Sequence, residues 1–129
     1  MANTLFDSAR QRFLEAQINW MTDTVKVLLV DTGAYTPQTA VHQYVADIPP
    51  SSRIAGPVTL TAKSTTGGAA DGADVTFTSV SGASIEAIVI YVDTGTEATS
   101  PLIAFIDTAT GLPITPNGGD KQINVPLAA

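Results

Sequence analysis

The sequence predicts a mainly β chain: a single β-sandwich, with the jelly roll among its candidate forms, carrying a short N-terminal helix. Three observations point there. Residues 85–106 hold the most continuously apolar stretch, Ile-Glu-Ala-Ile-Val-Ile-Tyr-Val, then a polar turn, then Pro-Leu-Ile-Ala-Phe-Ile. Its β-branched content favours strand over buried helix. Ile88, Ile90 and Val92 fall on one face of a strand and Val89 and Tyr91 on the other, so the strand should be covered on both sides. Shorter alternating runs flank this pair, at Val58 to Ala62, Val75 to Thr78 and Ile123 to Leu127. Turn residues separate them at fairly regular intervals, which is the spacing of a sandwich or barrel.

Taken in order, Thr4 to Glu15 reads as a helix, with the helical region bounded at 4–16. Leu5, Ala9, Phe13 and Ala16 recur at helical spacing, and Asp7, Arg10, Gln11, Arg12 and Glu15 cover the other side. Thr4 and Asp7 fit a capping-box variant. A short helix needs a packed face, so the stripe is expected to dock on this chain's own sheet, with a neighbouring molecule as the alternative. Ile18 to Trp20 reads as a short extended piece, Asp23 as a turn, and Val25 to Val30 as a strand whose one charge is Lys26. Thr32 to Thr39 reads as loop, broken by Pro37. Val41 to Val45 is expected to make a helical turn with both valines inward, ended by Pro49 and Pro50.

Val58, Leu60 and Ala62 are expected inward, with threonines outward. Gly67-Gly68 and Asp71-Gly72 supply turn chemistry, as does Ser81-Gly82 before the central strand. Breakers at Gly111, Pro113, Pro116 and Asn117-Gly118-Gly119 precede a last strand, which Pro126 places at an edge. The total is about six or seven strands in one domain, 1–129.

Composition narrows the chemistry. The 129 residues contain no Cys and one His, so disulfides, thiolate catalysis and Cys-based zinc sites are excluded, and any histidine site rests on His42. A formal charge of −6 argues against binding nucleic acid through its phosphates. Only 14% of residues are charged, against about 25% in an average domain, which suggests surface meant to be covered by assembly. The start has no basic end followed by an apolar run, so no signal peptide is expected, and no apolar run is long enough to span a membrane.

One pattern recurs. Leu29-Val30-Asp31-Thr32-Gly33, Tyr91-Val92-Asp93-Thr94-Gly95 and Phe105-Ile106-Asp107-Thr108-Ala109 each end an apolar run in Asp-Thr. Asp-Thr-Gly resembles the signature of aspartic proteases, whose two carboxylates share a proton around a water. Asp31 and Asp93 could form such a pair within one chain, or either could meet its copy in a dimer. The plainer account is that Asp accepts a hydrogen bond from the backbone N–H two residues on and closes the strand. That account also covers the third copy, which lacks the Gly. The span between Asp31 and Asp93 is short for a protease lobe, and the second motif of the retroviral type is absent. His42 with Asp47 and Asp31 could ligate a metal, and Asp71 with Asp74 could touch calcium, but a structural His and a turn account for them better. No catalytic, cofactor-binding or metal residues are therefore assigned.

The opening Met-Ala-Asn-Thr-Leu-Phe-Asp-Ser-Ala-Arg-Gln-Arg-Phe-Leu, Ile18-Asn19-Trp20, Asp23-Thr24-Val25-Lys26, Tyr44 to Pro49, Asp93 to Leu102 and Asp107 to Pro113 follow one another over nearly the full chain. In these pieces and their order the chain resembles a group of small virion proteins of tailed bacteriophages. The resemblance implies a structural role without catalysis or cofactor. The expected role is a capsid cement or decoration protein on the head surface, assembled in the host cytoplasm. Its partner would be the major capsid protein lattice, and it would itself form a dimer or trimer. A tail or neck component is the alternative within that class, an aspartic protease or a receptor- or sugar-binding β module outside it. Neither nucleic acid nor membrane is an expected partner. Phe6, Trp20, Tyr35 and Tyr44 are the candidate interface anchors, since Trp and Tyr are enriched at such positions; the alternative for each is a place in the core.

Overall fold

The computed structural model describes residues 4–36, 38, 40–66, 69–73, 75–106, 114–123 and 126–127. They form a mainly β chain with one short helix. In order these are β1 (Thr4–Leu5), α1 (Asp7–Leu14), β2 (Val25–Val30), β3 (Arg53–Thr59), β4 (Ser64–Thr66), β5 (Ala69–Asp71), β6 (Val75–Phe77), β7 (Ala87–Val92), β8 (Leu102–Ile106), β9 (Lys121–Ile123) and β10 (Pro126–Leu127). Single 3-10 turns lie at Val45–Asp47, Pro50–Ser52 and Glu97–Thr99.

The main sheet has the order β1-β8-β7-β2-β3, antiparallel throughout. The apolar stretch expected at its centre is there: every residue of β7 and β8 is buried. Ile88 stands opposite Ile106 and Leu29, and Val89 opposite Phe105 and Leu28, so both faces of the sheet carry large side chains. This is why the run is continuously apolar rather than alternating. On one face the Tyr35 ring packs 6.5 Å from that of Phe105. Two smaller antiparallel sheets, β10-β5-β4 and β6-β9, complete the strands. β6 alternates as expected, with Val75 and Phe77 buried and Thr76 exposed. β10 lies at an end of its sheet, as Pro126 suggested.

Gly56 shows how tightly β3 is approached. A Cβ there would lie 2.8 Å from the Val27 carbonyl oxygen and 2.9 Å from the Phe77 ring, and its φ of +96° is one that L side chains rarely adopt. Glycine lets β6 come up against β3.

Several expectations change. The helix runs from 7 to 14 rather than 4 to 16, because Thr4–Leu5 pairs with Phe105 and Ala104 of β8. Phe6 occupies the N-cap position and no side chain caps the helix there. Its backbone N–H donates to the Ile103 carbonyl at 3.0 Å, ending the strand. The helix does dock on its own sheet, but through Phe6 and Ala9; Phe13 is 37% exposed, Leu14 is 88% exposed, and Ala16 is exposed. Val41 is exposed, and the helical turn expected over 41–45 begins only at Val45, which is buried. Ile18 and Trp20 are buried in an irregular segment rather than an extended one. β3 begins at Arg53 and ends at Thr59, and Ala62 is exposed at φ +51°. The expectations for Pro37, Gly67-Gly68, Asp74, Asp107 to Pro113 and Val125 fall outside the described residues.

Candidate functional site

The two described Asp-Thr-Gly segments are Asx turns. The Gly33 N–H donates to Asp31 Oδ1 at 2.8 Å, and the Gly95 N–H donates to Asp93 Oδ1 at 2.9 Å. Asn117 builds the same turn with Gly119, at 2.9 Å. Asp31 follows β2 and Asp93 follows β7. Because these strands are antiparallel, with Val30 opposite Ala87 and Val25 opposite Val92, the two aspartates lie at opposite ends of the sheet. At about 3.4 Å per residue that is roughly 20 Å. One chain therefore does not bring Asp31 and Asp93 together.

Each aspartate has a different neighbour instead. Asp93 pairs with Lys26 across β7 and β2, Oδ2 to Nζ 2.9 Å. The hydrogen bond from Lys26 and that from the Gly95 amide hold its carboxyl below the usual range. At the other end Glu86 accepts from both the amide (3.0 Å) and the hydroxyl (3.1 Å) of Thr32. Burial opposes the Glu86 charge, but hydrogen bonds from Ser84 and Thr32, and one with the Asp31 carboxyl, outweigh it and lower its pKa. Glu86 was not singled out in the sequence. It directly precedes an apolar strand, and only the pairing of β7 with β2 puts it beside Thr32.

The residues around the Asp93 end form the most connected polar region described. Ser100, 1% exposed, accepts from the Thr94 amide at 3.1 Å, and its hydroxyl donates to the Thr96 carbonyl at 2.8 Å. Thr94 and Thr99 hydroxyls meet at 2.8 Å. This closes the loop between β7 and β8. The segment from Gln43 to Asp47 lies against it: the Val45 amide donates to the Ser100 carbonyl at 3.0 Å and the Leu102 amide to the Gln43 carbonyl at 2.9 Å. Arg53 ties the two. Its guanidinium donates to the Val45 and Ile48 carbonyls at 2.8 and 2.7 Å, and to Glu97 Oε2 at 2.7 Å. Buried Tyr91 sits below, its phenol pushed up to about 12 by burial and the Asp93 charge, with Arg53 opposing. Two pieces that carry the sequence resemblance, Tyr44 to Pro49 and Asp93 to Leu102, thus touch in the fold.

The aromatic residues expected at an interface are placed differently. Phe6, Trp20 and Tyr35 are core residues, Phe6 with no exposed surface at all. With at most 6% of its surface exposed, each of the three is committed to this chain's own packing and offers little area to a partner. Tyr44 alone is half-buried, with the Arg12 guanidinium 5.1 Å from its ring centre and donating to its hydroxyl at 2.8 Å. Among the described residues, the large apolar side chains that do face outward are Phe13, Leu14, Met21 and Val41. Hydropathy pattern could have flagged Leu14, which falls off the Leu5–Ala9 stripe.

Among the described residues no group of three or more His, Asp or Glu is placed to hold a metal ion. None of their helices is long and apolar enough to cross a membrane. No protein-family model matches the chain, and no curated protein matches it.

Proposed function

We propose that this protein is a structural component of a tailed-bacteriophage virion, a cement or decoration protein that binds the major capsid protein lattice on the head. The observation that carries this reading is the ordered resemblance from the N-terminus through Pro113. The contact between its Tyr44–Pro49 and Asp93–Leu102 pieces supports it, because separated segments that meet in the fold form one physical unit. In this reading the three sheets belong to a single β-sandwich, and the protein acts as a homo-oligomer. Its contact side chains are the outward Leu14 and Val41 with half-buried Tyr44, rather than Phe6, Trp20 and Tyr35. A low-charge surface suits this role, since charges are depleted at the centres of interfaces.

The test is localisation in purified particles by cryo-electron microscopy, with averaged maps of head and tail. Regular copies bridging capsid subunits are expected. Density confined to the tail or neck would keep the structural class and replace the head assignment. Absence from the particle would overturn the reading.

A further inference from the structure

The chain has four asparagines, and one of them, Asn117, precedes a glycine. Gly118 has a φ of +85°, which L side chains rarely adopt, so the turn itself calls for the glycine. That glycine has a chemical consequence: no Cβ shields its nitrogen from the carboxamide of Asn117, and both residues are exposed. Two hydrogen bonds bear on a reaction between them, in opposite senses. The Gly119 N–H donates to Asn117 Oδ1 at 2.9 Å, where a donor draws electrons from Cγ and stabilises the oxyanion that attack on Cγ would form. The Gly118 N–H donates to the Val80 carbonyl at 2.7 Å, which holds the proton on the nitrogen that would attack. The Val80 N–H returns a bond to the Gly119 carbonyl at 3.0 Å, and the Ser79 N–H donates to Asp120 Oδ1 at 3.1 Å. Residues 79–80 and 118–120 are thus one short pairing that prolongs the β6–β9 ladder.

We propose that Asn117 is a site of spontaneous deamidation gated by the Val80–Gly118 hydrogen bond, slow while that bond is closed and proceeding when it opens. Once the Gly118 nitrogen is free and gives up its proton, it attacks Cγ of Asn117. The N–C bond closes a five-membered succinimide, and Nδ2 leaves as ammonia, carrying off the hydrogen that Gly118 lost. Water then opens the ring at one of its two carbonyl carbons. Breaking the new bond to Cγ gives aspartate, which keeps an Oδ1 acceptor for the Gly119 N–H and leaves the backbone unchanged. Breaking the old peptide bond gives isoaspartate, whose main chain runs through Cβ and Cγ and is one carbon longer. That extra carbon shifts Gly118 and Gly119 out of register with Val80, so the iso product does not close the pairing again. The primed carboxamide and the held nitrogen belong to one turn, and opening the pairing removes only the restraint. The site rests on these contacts alone and does not depend on the virion reading.

The test ages the whole chain in mildly alkaline buffer and follows each asparagine by peptide mass mapping, with an isoaspartyl methyltransferase to mark the iso product. In the chain unfolded by guanidinium chloride, Asn117 should convert ahead of Asn3, Asn19 and Asn124. In the folded chain its conversion should be slower by about 2- to 10-fold, the factor that one ordinary hydrogen bond gives. Amide exchange of Gly118 supplies an independent reading of the gate, because exchange begins by removing the same proton. Low denaturant, and the variant Asp120→Ala, which loses the Ser79 bond but keeps Asn117 and Gly118, should raise Gly118 exchange and Asn117 conversion by the same factor. The isolated iso form should have lost the protection of the Gly118 amide. Conversion as fast in the folded chain as in the unfolded one, another asparagine converting first, faster Gly118 exchange with no faster conversion, or an iso form that keeps its Gly118 protection would each overturn the proposal.

Discussion

The two Asp-Thr-Gly turns share a sequence and an internal hydrogen bond but almost nothing else. At Gly95 φ is +89°, while Gly33 does not take a positive φ. Thr94 is bound into the hydroxyl cluster of Ser100, while Thr32 is bound to Glu86. Asp93 faces a cation and Asp31 faces a carboxyl. The tripeptide specifies the Asx bond, and the strand pairing beyond it decides the electrostatics. A motif read as chemistry needs both, and here the pairing sends the two aspartates to opposite sheet ends.

Substitutions can break the comparison in graded steps. Ser100→Ala should have the largest effect, destabilising by about 1–2 kcal/mol in urea unfolding, because it removes a buried hydroxyl that serves the Thr94 amide, the Thr94 hydroxyl and the Thr96 carbonyl together. The equivalent cut at the other end, Glu86→Ala, should cost about 1 kcal/mol, since the bonds it removes from the Thr32 amide and hydroxyl end on a half-buried carboxylate rather than a fully buried group. Equal losses for the two would mean that the ends are alike.

Glycine gives a sharper contrast. Gly95→Ala should cost about 1 kcal/mol from backbone strain alone, since a Cβ there meets nothing within 4 Å. At Gly33 the Cβ would lie 3.1 Å from Asp31 Oδ1, and a few tenths of a kcal/mol are expected for Gly33→Ala. Thermal unfolding of both variants compares them directly.

Asp93→Asn is comparably small. Asparagine keeps the Oδ1 acceptor for the Gly95 amide and loses only the Lys26 pair, worth about 0.2–1 kcal/mol at a partly exposed site. Its signature is in the pH dependence. A carboxyl whose folded pKa is depressed contributes stability that is fully present above its unfolded value, about 3.9 for Asp. That stability is lost as pH falls through the lower folded value. Acid titration of stability should therefore be shallower below about pH 4 in Asp93→Asn than in the parent. Asp47 and Glu86 contribute in the same direction and should keep the remaining slope.

The central strands were legible because their β-branched, doubly apolar runs permit little else: β2, β7 and β8 lie where the pattern puts them. β3 was legible only in its last two residues, Val58 and Thr59. Arg53-Ile54-Ala55-Gly56-Pro57 has no alternation, and its extension is set by pairing with β2 rather than by its own side chains. The helix start was misplaced for a similar reason, since the strand pairing of Thr4–Leu5 with β8 is a distant contact that no local window contains. The aromatic residues were identified as anchors of something. Whether the something was this chain or another depends on burial, which follows from the assembled fold. Tyr35 illustrates this, for a loop position beside Gly33 gives no sign that its ring will lie on Phe105.

The pairing of β1 with β8 also sets a timetable for biosynthesis. β1 leaves the ribosome well before its partner, which lies at Ala104 and Phe105. At about 5–20 residues per second, roughly 5–20 s of translation separate the two. β2 and β3 can pair early in that interval, while Phe6 and Ala9 have no sheet edge to rest on. During that time the amphipathic N-terminal segment is open to chaperones or to other nascent chains, and tags fused ahead of Thr4 would be felt most while the sheet waits to close.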